Sequence, residues 1–227
     1  MNRATRLNPL DDAAPWQVSD VLVGLPPRVR ERRDGGCAVH RVAEKGPVSA
    51  ALENEEGFAF VTMGLGWDPE ALRWLGGKPD IDLNAAALLF TGDSIADVVY
   101  HEQLASQDGA VRLLGDNTTG EGEGDDELIT VDLTRLPPTV TTVCFVITSY
   151  TGQPFGQIQN AFCRLIDGMS NTEFARYELD GGRGSTGFVM GKLFRSAQGL
   201  WLYQPIAETI QAKHPVEAVH QLAPYLP

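Results

Sequence analysis

Short runs of apolar and β-branched residues, punctuated by turn signals, recur along this chain from residue 58 onward and constrain its fold more than any other feature. Residues 58–65, 85–90, 97–100, 128–133, 142–150, 160–166, 174–179, 188–194 and 200–205 all have the length and composition of strands. Helical periodicity is scarce beside them. Many short strands with few helices predict an all-β domain, either a sandwich or a barrel. The tail is the exception. Pro215 suits the first turn of a helix, and Val216, Val219, His220 and Leu222 fall on one side of it. With 227 residues, 43% of them hydrophobic, the chain can bury a full core as one large domain. The first 36 residues stand apart: Pro26-Pro27 and the cluster Arg28, Arg30, Arg32 and Arg33 end in Gly35-Gly36. They read as an N-terminal extension, residues 1–36, ahead of a domain spanning 37–227. Its arginines are suited to carboxylates, and docking on an acidic surface of the same or a neighbouring subunit is one expectation; a solvated tail is the other.

Other features exclude function classes. No apolar run approaches the length of a membrane span, and 21–25 is too short for the core of a signal peptide, so a cytoplasmic protein is expected. Of the three cysteines, Cys144 and Cys163 lie in apolar strands as small buried hydrophobes, and Cys37 is the one expected to be exposed. His40, His101, His214 and His220 are scattered, with no H-E-x-x-H and no paired cysteines, which argues against zinc. Residues 182–187 satisfy G-x-G-x-x-G, but they join two strand-like runs and open no helix, so a hairpin turn is expected. There is no G-x-S-x-G nucleophile elbow either.

The chemistry of the chain is concentrated in residues 115–127, which hold six acidic side chains and the carboxamide of Asn117 among glycines, without a Lys or Arg. Carboxylates this close repel one another, and oxygen-only donors on a flexible backbone suit a hard cation, calcium in particular. Asp116 and Glu127 have the spacing of the ends of an EF-hand loop. Thr118, Gly120 and Glu121 stand where that motif needs ligands and its glycine, and the residues after Glu127 alternate with the period of a strand. The loop therefore enters a sheet. Upstream, Asp80, Asp82 and Asn84 share one face of a strand pattern while Ile81 and Leu83 face the core, forming a second row of oxygen donors. Asp68 is a weaker candidate, because Asp-Pro also starts ordinary turns. His101 and Glu102 follow a strand near this region, as supporting residues or as plain surface. Residues 79–134 carry thirteen acids against the single base Arg112, which accounts for the whole formal net charge of −12. Nucleic acid is excluded as a partner of that face, because phosphate binding needs the opposite sign.

Four motifs, 64–68 (GLGWD), 80–85 (DIDLNA), 115–127 (GDNTTGEGEGDDE) and 155–162 (FGQIQNAF), together closely resemble the TerD domain of bacterial tellurium-resistance and general stress-response proteins. The resemblance covers roughly residues 42–227. It implies a β-sandwich of two mainly antiparallel sheets with a few short helices, one near the C-terminus. It also implies a calcium-binding regulatory or scaffolding protein without catalysis of its own, whose partners are calcium ions and other stress-response proteins or itself. The family's ligand positions fall here on Asp80, Asp82, Asp116, Asn117, the loop carbonyls including those of Thr118 and Gly120, and a subset of Glu121, Asp125, Asp126 and Glu127. Asn84, where the family more often has a small residue, and Glu123, in place of a common Asp, depart from the pattern. Two alternatives are a metal-dependent enzyme acting on a phosphorylated substrate, for which no base stands out, and a structural subunit stiffened by calcium.

Overall fold

The computed structural model of the chain describes residues 39–41, 57–69, 80–122, 124–182 and 184–227. The extension 1–36, Cys37 and Glu123 lie outside them. Two sheets face each other, so the predicted sandwich is what forms. One has the order β1-β9-β8-β2-β6-β5, built from β1 (Val39–Arg41), β2 (Phe60–Gly66), β5 (Val111–Leu114), β6 (Glu127–Asp132), β8 (Phe162–Asp167) and β9 (Thr172–Glu178). The other has the order β11-β10-β7-β3-β4, from β3 (Leu83–Thr91), β4 (Ser94–Val99), β7 (Thr142–Ser149), β10 (Gly187–Arg195) and β11 (Trp201–Ile210). Among the described residues the pairings are antiparallel except that of β1 with β9.

The period of two explains how these strands pack. Val61, Met63 and Leu65 of β2 meet Leu83, Ala85, Ala87 and Leu89 of β3 in the core between the sheets. Ala86, Leu88 and Phe90 point the other way, yet they are buried as well, under Ala212, Ala218 and Leu222 of the C-terminal tail. Coverage on both faces is why β3 reads as a continuous apolar run from Ala85 to Phe90. Cys144 and Cys163 are free thiols buried in strands. Burial pushes the Cys144 thiol up to about 12 and that of Cys163 well above its usual value.

Four sequence expectations are corrected. β5 was not foreseen: it has only four residues and Arg112 interrupts it. β11 runs on past Pro205, which a central strand would not tolerate; β11 lies at the edge of its sheet, where the missing N–H needs no partner. Residues 182–187 form no hairpin, because they lead from β9 in one sheet to β10 in the other. The tail is helical only over Pro215–Ala218 and then tightens to a 3₁₀ segment, Val219–Tyr225. The inward positions are Pro215, Ala218 and Leu222, with Val219 partly buried beside them, while Val216 is 51% exposed and His220 is exposed.

Candidate metal centre

The acidic residues gather at one end of the sandwich, where β2 ends, β6 begins and the chain enters β3. The loop between β5 and β6 packs directly on β2. A Cβ on Gly64 would lie 2.5 Å from the Asp125 carboxylate, and one on Gly120, whose φ is +69°, would lie 2.5 Å from Trp67 Nε1. Both positions therefore need glycine for close approach. Asp126 N–H donates to the Leu65 carbonyl (2.7 Å), and Trp67 N–H donates back to Asp126 Oδ2 (2.9 Å). The fully buried Trp67 indole donates to the Ile81 carbonyl (3.1 Å), which ties the segment around Asp80 and Asp82 to the same place. The 155–162 motif closes the arrangement from the other side: the Gln159 carbonyl accepts from Asp68 N–H (3.0 Å), and the Asn160 amide donates to Asp68 Oδ2.

Glu127 is the centre of the site. Its parity with Ile129 and Val131 turns it inward, and it is only 1% exposed. Oε2 accepts from Ala85 N–H of the opposite sheet (2.7 Å), while Oε1 is buried with no hydrogen-bond partner among the described residues. Burial pushes the Glu127 carboxyl well above the usual range, the Ala85 N–H opposes this, and the charges of Asp116, Asp82 and Asp126 raise it further. Asp82, half-buried, is raised by burial and then by Asp116, against His101 and the amide of Asn84, which donates to Asp82 Oδ1 (3.0 Å). Asp82, Asp116, Asp126 and Glu127 thus form one electrostatic group.

The other expected ligands are placed differently. Asn117 organises the loop: its Oδ1 accepts from Thr119 N–H and Gly120 N–H (3.0 Å each), and its Nδ2 donates to Asp126 Oδ1 (3.1 Å) and the Glu121 carbonyl (3.2 Å). Asp80 is half-buried just before Ile81, Gly120 is buried, and the Thr118 and Glu121 side chains are exposed. Asn84, expected beside Asp80 and Asp82 on an open face, is buried instead, because β3 is covered on both sides. Asp125 departs furthest from expectation. Arg164 of β8 grips both its oxygens, Nε to Oδ1 at 2.9 Å and Nη2 to Oδ2 at 2.7 Å, and holds Glu173 Oε2 at 3.2 Å. Its charge is answered by the protein. Trp67 and Arg164 were missed by the sequence reading, although GLGW was among the motifs quoted. Folding also brings His101, Glu102 and His214 together, which their scatter in sequence had hidden.

The TerD domain family matches residues 44–214, a span that contains all four motifs and this cluster. The chain belongs to the TerD family. It is 41% identical over 157 residues to "Tellurium resistance protein TerZ" of Serratia marcescens, covering 66% of this chain and 80% of that protein. It is 34% identical over 180 residues to "Stress response protein SCP2" of Bacillus subtilis (strain 168), covering 73% and 90%. Among solved structures, a homologue of telluride resistance protein (TerD) from Streptomyces coelicolor A3(2) superposes with a TM-score of 0.66 at 22% identity, over 74% of this chain and 98% of that one, a likeness of fold. Among the described residues no helix is long and apolar enough to cross a membrane. The acid cluster of this TerD domain offers only oxygens, and a buried carboxylate oxygen left without a partner fits a cation-holding role.

Proposed function

We propose that this TerD-family chain is a calcium-binding module of the stress and tellurium responses, acting in the cytoplasm as a regulatory or scaffolding protein without catalysis of its own. The observation that carries the reading is Glu127 Oε1, buried without a hydrogen-bond partner among the described residues, beside Asp82, Asp116 and Asp126. A buried ionised carboxylate is strongly unfavourable unless paired, and among the described residues Arg164 pairs with Asp125 and Glu173 rather than with Glu127. A calcium ion supplies the missing charge and accepts six to eight oxygens in loose geometry, which suits donors from separate segments. Asp82, Asp116, Asp126 and Glu127 would hold it, with loop carbonyls completing the shell; Asp80 and the exposed acids of the loop leave room for a second ion. Magnesium fits less well, because it needs stricter geometry and dehydrates reluctantly. Filling the site would fasten the β5–β6 loop to the lead-in of β3 and offer an ordered surface to other stress-response proteins or to a second copy.

Neutralising single ligands tests the assignment. Asp116→Asn and Asp126→Asn keep size and remove charge, and each should weaken calcium binding on the order of tenfold or more in calorimetric titration. Asp93→Asn is the control: Asp93 is exposed in the β3–β4 turn, where it accepts from Ser94 (3.1 Å), and its loss should leave affinity unchanged. Equal affinity in all three variants would sink the assignment.

A further inference from the structure

A second group of metal-ligating side chains lies beside the acid cluster. After β11 the tail crosses the outer face of the five-stranded sheet and carries His214 to the β4 edge, beside His101 and Glu102, which follow β4. One ligand atom from each of the three residues lies within 4.8 Å of the others. Glu102 Oε1 is 4.0 Å from His101 Nε2, and Glu102 Oε2 is 3.8 Å from His214 Nε2. Tetrahedral bonds of about 2.0–2.2 Å set neighbouring donors about 3.3–3.6 Å apart, so side-chain movements of up to about 1.5 Å close the group on an ion.

The side chains are held in place. Tyr100 meets His101 and His214 edge to face, with centroids 5.1 and 5.2 Å away, and Tyr150 meets His101 at 5.5 Å. The Tyr100 hydroxyl donates to Glu102 Oε2 (2.9 Å), which steadies the carboxylate. The His side chains are largely shielded, at 15% and 26% exposure, while Glu102 at 60% keeps the group open to entry.

We infer that His101, Glu102 and His214 form a site for a divalent transition metal of the zinc class, separate from the oxygen-only cluster. Two imidazoles and one carboxylate suit zinc or its neighbours and are poor ligands for calcium. Three protein ligands leave the fourth position to water or a further donor. Binding has a local consequence. His214 Nδ1 caps the helical turn by accepting from Val216 N–H (3.3 Å), so Nε2 carries the ring proton in the metal-free state. For a metal to bind Nε2 the ring's single hydrogen moves from Nε2 to Nδ1, so the ring stays neutral, Nδ1 can no longer accept from Val216 N–H, and the cap bond opens.

Zinc titration of the full chain tests the inference, with calcium in excess so that hard-cation sites are occupied. Zinc should bind tighter than millimolar, cobalt should give the visible bands of a tetrahedral nitrogen-oxygen site, and the Val216 amide resonance should shift. His214→Asn removes the imidazole but keeps a good cap, and Glu102→Gln removes the carboxylate from an exposed position. Each should lower zinc affinity by more than the roughly 10- to 100-fold that loss of an outer-shell partner costs, and should leave calcium binding unchanged. Should one variant fail to fold, the other decides. Zinc binding that survives both substitutions, or no binding below millimolar, overturns the site whatever calcium does.

Discussion

Arg164→Ala is expected to lose about 3–5 kcal/mol of folding stability, the usual result of removing one partner of a buried ion pair. Its side chain is 8% exposed and that of Asp125 2%, so alanine would leave a buried negative charge with no other cation beside it among the described residues. Glu173, bridged by the same guanidinium at 3.2 Å, would lose a partner as well. The effect should reach beyond β8, because Asp125 sits in the glycine slot over Gly64 and its neighbour Asp126 is fastened to Leu65 and Trp67. Arg176→Ala provides the contrast. That side chain is half-buried, pairs with Glu178 at 3.0 Å and Glu173 at 3.8 Å and lies over the Phe162 ring at 3.9 Å, yet it leaves no buried acid stranded, and its loss should cost about 1–2 kcal/mol. Denaturant unfolding separates the two cases. Adding Asp125→Asn to Arg164→Ala should recover part of the loss, because the stranded charge goes with it. Equal and small effects of Arg164→Ala and Arg176→Ala would mean that Asp125 is not held as described.

Glu127→Gln should change stability and calcium affinity in opposite directions. Glutamine can still accept from Ala85 N–H, and it removes a buried charge from a group of carboxylates. In chelator the variant should be more stable than the parent, by about 1–3 kcal/mol, the typical cost of an unsatisfied buried group. In calcium it should bind on the order of a hundredfold more weakly, through loss of a ligand charge. The same residue sets a pH dependence. Glu127 and Asp82 have raised values in the folded chain, so the folded state binds more protons than the unfolded one. Without calcium, stability should fall as pH rises from the ordinary values of 4.5 and 3.8, and the loss is complete above the raised folded values. Glu127→Gln should flatten that slope. A variant that is less stable than the parent in chelator would show that Glu127 is satisfied without a cation.

The strands were legible because alternation and turn residues act locally: β2, β6, β7, β8 and β10 begin and end within two residues of the positions read from the pattern. Sheet membership was not legible, since it depends on partners distant in sequence. β2 lies between β6 and β8, and the link after β9 crosses between sheets where a hairpin was expected. Pro205 read as a stop because its tolerance depends on β11 being an edge, and the tail buries Ala218 rather than Val216 because its inward face is set by how it lies against β3, which apolar spacing alone did not reveal.

At the acid cluster, composition pointed to the segments, but burial assigned the roles. Glu127 and Asp125 look equivalent in sequence. The first turns inward toward Ala85 because of its parity in β6, and the second meets Arg164, thirty-nine residues away. The histidines were legible only as isolated residues, since Tyr100 and the tail's path bring them together.

Calorimetric titration of calcium into the chelator-treated full chain, at physiological ionic strength, tests the central claim most directly. Binding well below millimolar, a melting temperature that rises with calcium and falls with chelator, and a much weaker response to magnesium are the predicted results. No calcium binding below millimolar, or a melting temperature indifferent to chelator, would contradict it.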